Sequence, residues 1–184
     1  MHTRNGPGRP RSERCRQDIL DAVDDLLVEV GYAAMTMKGI AERAGVGRQT
    51  VYRWWSTKAE VLLEACVEDF AEELTVEAHP DPAQDLLGYL CALTTFLIGD
   101  PPGIAYRALL GEAQHDAAVR ELLRDDPLTS SAAAVLRRTG SPADSLAVAQ
   151  FVGPVLSQVL VGPAPLDPEA LRRHVDLLLT AWRA

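Results

Sequence analysis

The sequence predicts an all-helical protein. Apolar residues recur every three to four positions along most of the 184-residue chain, which is the period of an α-helix. Convincing alternation with a period of two, the pattern of a half-buried strand, is absent. The pairs Asp81-Pro82 and Asp167-Pro168 combine a capping side chain with proline at the first helical position, a frequent helix start. A chain of this length buries enough surface to fold without disulfides or metal ions.

Glycines and capping residues divide the first 74 residues into helices. An apolar stripe that starts at Ile19 predicts a first helix, and Gly31 is expected to end it. Thr36 is expected to cap the second helix. The helices predicted for this region span about 12–30, 37–44, 48–55 and 58–74. Residues 1–11, rich in Gly, Pro and Arg, are predicted to form a disordered basic arm.

Four further helices are predicted after the break at residues 79–82, over about 82–99, 104–115, 144–161 and 168–182. The segment 116–140 has no clear assignment, because Pro127 interrupts it and its polar residues weaken the helical pattern. Residues 144–161 are apolar almost all round, so this helix is predicted to be buried on most sides. Pro154 should bend it, because proline removes a backbone donor and clashes with the preceding turn.

Charge is distributed unevenly along the chain. The net charge of −8 would, taken alone, argue against a nucleic-acid partner. Residues 1–58, however, contain ten basic and seven acidic side chains and so carry +3, which leaves −11 for the rest. An acidic body with a basic head can place the head on a polyanion while the body is repelled from it.

Residues 36–55 combine a short helix, a glycine turn and a second short helix that is dense in hydrogen-bond donors. In a helix-turn-helix one helix braces against the DNA backbone and the next enters the major groove, and this segment has that organisation. Gly45 supplies a turn conformation that a residue with a Cβ resists. Val46 is expected to fill the space between the two helices. A helix-glycine-helix corner occurs in many folds, so these features alone do not decide the function.

The longer stretch GYAAMTMKGIAERAGVGRQTVYRWWSTKAEVLL, residues 31–63, resembles the DNA-binding region of the tetracycline-repressor (TetR) family, and the resemblance covers about 45 residues. Apolar, turn and polar positions agree in register, and the matching residues are Gly31, Tyr32, Thr36, Ile40, Ala41, Ala44, Gly45, Val46, Thr50, Val51, Tyr52, Trp55, Lys58 and Leu62. Beyond Phe70 the resemblance is weaker, although the segments near Tyr106 and Phe151 look like the ligand-binding halves of one subgroup.

The resemblance implies a domain organisation and a function. A helix-turn-helix DNA-binding domain over residues 12–57 would be joined to a helical ligand-binding and dimerisation domain over residues 58–184. The protein would be a transcription regulator, most commonly a repressor in this family. It would bind a palindromic operator in double-stranded DNA as a homodimer, and a small-molecule effector would release it.

The resemblance also assigns candidate DNA contacts. Arg48, Gln49 and Arg53 are expected to read bases, because arginine reads guanine and glutamine reads adenine bidentately in the major groove. Phosphate contacts, which position the protein, are expected from Thr36, Lys38, Thr50, Tyr52 and Lys58.

Two parts of this assignment leave alternatives open. Trp54 departs from the family pattern; either it lies on the sugar-phosphate backbone through its indole N–H, or it is a partly exposed packing residue. Trp55 is expected in the core. Arg9 and Arg11 resemble arginines that insert into a narrow A·T-rich minor groove, with a solvated tail as the alternative.

The helical body is expected to bind an effector and a second copy of the chain. Apolar walls with a few polar groups are typical of a ligand site, and the candidate lining residues are Phe70, Tyr89, Thr94, Thr95, Phe96, Tyr106, Gln114 and Gln150. Few charges are expected inside, which favours an uncharged or aromatic lipophilic effector. The last two helices are the expected dimer interface, through Val148, Val152, Val155, Leu156, Val159, Leu171, Val175, Leu178 and Trp182. For both sets, membership of the subunit core is the alternative.

No catalytic or metal-binding pattern accompanies these features. Residues 59–184 lack the HExxH, GxSxG, P-loop and dinucleotide patterns, and the four histidines are scattered. We therefore predict no enzyme activity, no cofactor and no metal. The three cysteines are far apart, which favours a reducing compartment and hence the cytoplasm. No apolar run reaches the roughly 18 residues of a membrane span.

Three other functions remain open at this point. A DNA-binding regulator without an inducer would be favoured by a filled C-terminal core. A small-molecule-binding protein or enzyme with a decayed DNA-binding head is disfavoured by the intact residues Arg48, Thr50, Tyr52 and Lys58. A redox regulator would use Cys66 or Cys91.

Overall fold

Ten helices and no strand are formed by the residues that the structure describes. In this computed structural model the backbone is described for residues 9–99, 101–124 and 126–183, and side chains from Glu13 onward except those of 68, 69 and 71–73. The helices are α1 (Arg9–Ala34), α2 (Met37–Arg43), α3 (Arg48–Tyr52), α4 (Lys58–Glu73), α5 (Pro82–Gly99), α6 (Pro101–Glu112), α7 (Ala117–Leu122), α8 (Pro127–Arg138), α9 (Ser145–Val161) and α10 (Pro168–Ala181). The predicted all-helical fold is confirmed.

The chain forms two compact units, one up to Cys66 and the other from Val67 onward. The first unit contains α1, α2, α3 and the first half of α4. The second contains the rest of α4 and the remaining helices. The division therefore falls inside α4, whereas the sequence places a domain boundary between residues 57 and 58, where that helix begins.

Helix α1 is longer than its sequence pattern predicts. It begins at Arg9, so it includes residues 9–11, which the sequence assigns to the basic arm. The rest of the predicted arm, residues 1–8, lies outside the described residues, as do the side chains of Arg9 and Arg11. Gly31 interrupts the helical geometry with φ 75° and ψ 164°, at the position where the sequence predicts a stop, and a last turn follows to Ala34.

A small apolar core holds the first unit together. Its fully buried residues include Ile19, Val23, Ile40, Val51, Val61 and Leu62. Helix α2 packs against both α1 and α3. Because α2 and α3 have only seven and five residues, neither is stable as an isolated helix, and the core sets their orientation.

Helix α5 is central to the second unit, where α6, α8, α9 and α10 pack against it. The segment 116–140, which has no clear assignment from sequence, contains α7 and α8. Aspartates cap both helices: Asp116 accepts from the N–H groups of Ala118 and Val119, and Asp126 accepts from the N–H of Thr129. Pro127 interrupts nothing, because it is the first residue of α8, where no backbone donor is needed.

Helix α9 is buried on one face only, which corrects the prediction that it is buried on most sides. Its inward residues are Ala147, Val148, Phe151, Val152 and Val155, and its exposed apolar residues are Leu146, Leu160 and Val161. It continues as one helix through Pro154. Among the described helices, none is both long enough and apolar enough to cross a lipid bilayer.

Candidate nucleic-acid interface

Thr36 sets the start of α2, as the sequence predicts. Its backbone is extended, with φ −134° and ψ 153°, and its Oγ1 accepts a hydrogen bond of 3.0 Å from the N–H of Gly39. This bond satisfies one of the donors that a helix N-terminus leaves free. Thr36 and Lys38 are both exposed, so this end of α2 faces solvent.

The turn between α2 and α3 is a Schellman motif. The N–H of Val46 donates to the carbonyl of Ala41 at 2.9 Å, and the N–H of Gly45 donates to the carbonyl of Glu42 at 3.3 Å. Gly45 has φ +67°, in the left-handed region that favours glycine. Two short helices therefore meet at a fixed corner.

Helix α3 presents one polar face to solvent and one apolar residue to the core. Arg48, Gln49 and Tyr52 are exposed, Thr50 is half-buried and Val51 is fully buried. The helix ends at Tyr52, three residues earlier than predicted, and Arg53 and Trp54 follow in an exposed turn. The five candidate residues from 48 to 53 are thus brought together at one surface.

Of the two tryptophans that follow α3, one is buried and the other is partly exposed. Trp55 is buried, as predicted, and Trp54 is 38% exposed. Their ring centroids are 6.1 Å apart, and the Arg53 guanidinium lies 5.8 Å from the centroid of Trp54. This cation–π contact limits the freedom of an arginine that is a candidate for base contact.

A carboxylate on α4 holds the buried indole. Glu64 Oε2 accepts a hydrogen bond of 2.6 Å from Trp55 Nε1, and Glu64 Oε1 accepts one of 2.6 Å from Arg16 Nε on α1. Sequence analysis does not identify Glu64, since nothing in the spacing of residues 16, 55 and 64 indicates that they meet.

Acidic neighbours neutralise much of the basic charge on α1 and α2. Lys38 Nζ lies 3.3 Å from Glu42 Oε1, and Arg43 bonds to Glu29 and, at 3.4 Å, to Asp25. The hydrogen bond that Arg43 donates to Glu29 raises the pKa of Arg43, although burial acts in the opposite direction. By contrast, no ion pair involving Arg48 or Arg53 is found within the described part of the chain.

Lys58 makes intramolecular contacts, and its predicted role at a phosphate stays a prediction. Its Nζ donates to the carbonyl oxygen of Tyr32 at 2.9 Å and lies 4.0 Å from the centroid of the Tyr32 ring. The ammonium group is therefore engaged between the end of α1 and the start of α4. Its contact is intramolecular, with the backbone and ring of one residue.

Three of the predicted ligand-site residues form an aromatic cluster in the second unit. The ring of Phe70 lies 4.6 Å from that of Phe96 and 5.1 Å from that of Tyr106, and all three are buried. Tyr89 is also buried, stacks on Phe151 at 5.6 Å and shares a 2.7 Å hydrogen bond with Ser131. Burial raises the pKa of Tyr89 to about 12, so this phenol is neutral.

The polar members of the predicted ligand set do not join that cluster. The hydroxyl of Thr94 donates at 2.7 Å to the carbonyl of Leu90 in its own helix. Thr95, Gln114 and Gln150 are exposed. Gln150 instead accepts a hydrogen bond of 3.3 Å from Trp182 Nε1.

Most of the predicted dimer residues belong to the core of their own subunit. Six are buried within the single chain, namely Val148, Val152, Val155, Leu171, Val175 and Leu178. Leu156, Val159 and Trp182 are half-buried. The helical spacing of these apolar residues therefore identifies the inner faces of α9 and α10.

The described residues contain no group of three His, Cys, Asp or Glu side chains that could hold a metal ion. Cys66 is buried, and burial raises the pKa of the Cys91 thiol. A higher pKa reduces the thiolate fraction, which disfavours the alternative of a redox regulator.

A fixed helical corner whose second helix exposes arginine, glutamine and tyrosine defines the class of helix-turn-helix regulators. Two family models match the chain: bacterial regulatory proteins of the tetR family over residues 19–65, and the tetracyclin repressor-like C-terminal domain over residues 76–178. The chain belongs to the TetR family, whose members are transcriptional regulators and not enzymes.

Individual relatives agree with this assignment. The HTH-type transcriptional regulator YdeS of Bacillus subtilis (strain 168) is 37% identical over 117 residues, which are 64% of this chain and 59% of that protein. The crystal structure of the TetR family transcription regulator SCO0332 has a TM-score of 0.74 at 28% identity, covering 91% of this chain and 97% of that one. The multidrug binding protein EbrR, complexed with imidazole, has a TM-score of 0.70 at 27% identity and 97% coverage of both chains.

Proposed function

We propose that this chain is a DNA-binding transcriptional repressor that binds a two-fold-symmetric operator as a homodimer and is released by a small effector. The observation that carries the proposal is α3, whose exposed side chains include Arg48 and Gln49. These residues bind bases bidentately in the major groove, and Arg53 in the following turn extends the same surface. A bound dimer would block access of other proteins to the operator, which is the physical basis of repression.

Groups around α3 supply the contacts that fix its position on DNA. The exposed hydroxyl of Tyr52 and the half-buried Thr50 flank the base-reading residues. Lys38, at the solvent-facing end of α2, is a cation that can exchange its Glu42 partner for a phosphate. Trp54 exposes part of its ring at the same surface. Such contacts orient the protein and carry no sequence information themselves.

The proposed dimer interface uses the outer faces of α9 and α10. Leu146 and Leu177 are 67% and 69% exposed, and Leu160 and Val161 are also exposed. An open and mainly apolar groove on α10 is lined by Arg173, Asp176, Leu177, Thr180 and Ala181. Burying this surface against a second copy would contribute about 25 cal/mol per Å² of apolar area. A two-fold dimer would present its two α3 helices to major grooves about 34 Å apart.

The proposed effector binds at the aromatic cluster of Phe70, Phe96 and Tyr106. These rings offer apolar and π surfaces and no charge, which favours an aromatic or uncharged molecule. Because the rings contact one another, the effector has to separate them, and α4, which carries Phe70, would move. A coupling of about 1–3 kcal/mol between the two sites would change operator affinity about 5- to 150-fold.

A regulator without an effector is the second candidate function. The observation that favours it is the same cluster, since three buried rings at centroid distances of 4.6 and 5.1 Å already fill their space. Two further polar candidates, Thr95 and Gln114, are exposed, unlike the three buried rings.

The test is selection of bound duplexes from a random DNA pool at two salt concentrations. We expect enrichment of a two-fold-symmetric sequence, with affinity that falls steeply with salt as counterions are released. Arg48→Ala should relax the base preference at one position and its symmetry mate. Arg137→Ala, which removes the same charge from an exposed position on α8, should leave the selected sequence unchanged. Failure to enrich any sequence at either salt would overturn the proposal.

Titration of the selected duplex complex with a panel of aromatic and uncharged compounds then separates the two candidates. Release by a compound that also quenches or shifts the fluorescence of Tyr106→Trp supports the effector site. A complex that resists the whole panel, in a protein that selects an operator, favours the regulator without an effector.

A further inference from the structure

We propose that Glu64 is a positioning residue for DNA recognition: its carboxylate fixes the orientation of α3 by holding the Trp55 indole against Arg16. This inference rests on the proposed DNA-binding function and deepens it, because it names the residue that sets the geometry of the base-reading helix.

The geometry around Glu64 is a bridge between two parts of the first unit. One carboxylate oxygen, Oε2, accepts from Trp55 Nε1 at 2.6 Å. The other, Oε1, accepts from Arg16 Nε at 2.6 Å and also bonds to Arg16 Nη2. The Trp55 donor is 3% exposed and the Arg16 side chain 18%, whereas the Glu64 side chain is 35% exposed, so the two donors are better shielded from water than the carboxylate. Each oxygen therefore has one committed donor group.

Trp55 connects the Glu64 carboxylate to α3. Its backbone N–H donates to the carbonyl of Val51 at 3.1 Å, and the N–H of Trp54 donates to the same oxygen at 3.0 Å. Val51 is the fully buried residue of α3. A displacement of the Trp55 ring consequently moves the C-terminal end of α3 and, with it, the directions of Arg48 and Gln49.

Helix α3 needs an external anchor because its own restraints are few. It has five residues, and its N-cap, Gly47, makes no side-chain hydrogen bond. A helix this short gains too little from its internal hydrogen bonds to hold its own conformation. The buried side chain of Val51 fixes one point, and the hydrogen bond from Trp55 to Glu64 supplies a second.

The chemistry of the bridge requires a carboxylate on a side chain as long as that of glutamate. Two donors converge on the group, and a carboxylate is acceptor-only. Glutamine would offer one oxygen and one NH₂, so either Arg16 or the indole would face a donor. Aspartate is shorter by one methylene. A buried indole N–H without an acceptor costs the desolvation of that group.

The test compares Trp55→Phe, Glu64→Gln and the control Val23→Ala by hydrogen–deuterium exchange and by DNA binding. Trp55→Phe keeps an aromatic ring and the net charge but removes the N–H, and Glu64→Gln removes one of the two acceptors. Val23 is fully buried in α1 and its apolar side chain makes none of the hydrogen bonds of the bridge, so Val23→Ala destabilises the unit by a cavity alone. All measurements are made well below the melting temperature of the least stable variant.

We expect exchange of the amides of residues 48–55 to be about tenfold faster in Trp55→Phe and Glu64→Gln, the effect of losing one hydrogen bond to a charged acceptor. The rest of the first unit should be unaffected in these two variants, whereas Val23→Ala should accelerate exchange throughout it. Equal protection of residues 48–55 in wild type and in both bridge variants would overturn the proposal. Uniform acceleration, as in the control, would do the same.

Binding to the selected duplex and to a scrambled duplex of the same composition supplies the functional readout. In Trp55→Phe we expect the ratio of the two affinities to fall about tenfold while the scrambled-duplex affinity stays within about twofold, since phosphate contacts survive. An unchanged ratio would overturn the positioning role. If the wild-type protein selects no duplex, the proposed function fails, and the exchange pattern still decides whether Glu64 orients α3.

Discussion

Arg138, in the last turn of α8, forms a bidentate ion pair with Asp85, in the first turn of α5. Its Nε and Nη2 each lie 2.7 Å from a different carboxylate oxygen, and the N–H of His79 donates to Asp85 Oδ1 at 3.1 Å. Asp85 is 2% exposed, and a charge at such a position is tolerated only when it is paired. The pair ties the start of α5 to the end of α8 within the second unit.

Replacing Asp85 by asparagine should lower the free energy of unfolding by about 2 kcal/mol, because hydrogen bonds to a charged group contribute about 1.5–3 kcal/mol. Chemical denaturation followed by circular dichroism measures this change. Glu169→Gln is the matched control, since it breaks the exposed Glu169–Arg173 pair on α10 and should cost less than about 0.5 kcal/mol. Equal losses in the two variants would contradict a special contribution of Asp85.

The same ion pair predicts how stability depends on pH. Burial raises the pKa of Asp85, but the hydrogen bonds from Arg138 and from the His79 N–H outweigh this effect and hold the pKa below its ordinary value of 3.8. A carboxyl with a lower pKa in the folded state stabilises the protein above its unfolded pKa, and the contribution is lost as pH falls through the folded pKa.

We therefore expect the difference in free energy of unfolding between wild type and Asp85→Asn to be constant from about pH 8 to about pH 5 and to shrink below about pH 4. Denaturant titrations of both proteins across this range give the difference directly. A difference that grows towards low pH would show that the pKa of Asp85 is raised by folding.

Lys58→Met should lower stability without changing the salt dependence of DNA binding. Methionine keeps an apolar stem but loses the hydrogen bond to the Tyr32 carbonyl and the cation–π contact, at a cost of about 1 kcal/mol. Lys38→Met, at an exposed position on α2, should instead reduce the slope of log affinity against log salt by about 1. Fluorescence anisotropy with a labelled operator measures both slopes. An equal reduction of this slope in Lys58→Met would support the phosphate contact that the sequence predicts for Lys58.

Leu177→Glu should convert the proposed dimer into a monomer. Leu177 is 69% exposed in the single chain, so the substitution should leave the fold of the second unit intact. Sedimentation velocity measures the oligomeric state, and thermal denaturation checks the fold. Val28→Glu, a similar change at a 66% exposed position on α1, is the control and should remain dimeric. A dimeric Leu177→Glu protein would place the interface elsewhere.

The helix-turn-helix could be predicted because its signals are local. The capping hydroxyl of Thr36, the left-handed glycine at Gly45 and the inward Val51 each act within a few residues of their own position. Local signals of this kind can be recognised in the sequence without knowledge of the rest of the fold. The core position of Trp55, by contrast, was predicted from the family resemblance.

The faces of α9 and α10 and the contacts of Glu64 could not be predicted in the same way. A stripe such as Val148, Val152 and Val155 shows that one side of a helix is buried, but not whether its own subunit or a second copy covers it. The partners Glu64 and Arg16 are 48 residues apart, and only the tertiary structure of the first unit brings them together. The pairing of Asp85 with Arg138, 53 residues away, could not be predicted for the same reason.

Lys38 pairs with Glu42, and Arg43 pairs with Asp25 and Glu29. These ion pairs affect how the proposed regulator would search DNA for its operator. Within the described first unit, no ion pair holds Arg48, which lies on α3, or Arg53, which directly follows it. In the proposed complex these ion pairs would weaken the attraction of α2 to DNA of arbitrary sequence, because its cations are already partly neutralised. A protein that binds DNA in the proposed way would dissociate quickly from most sequences and stay bound longest where the bases match α3.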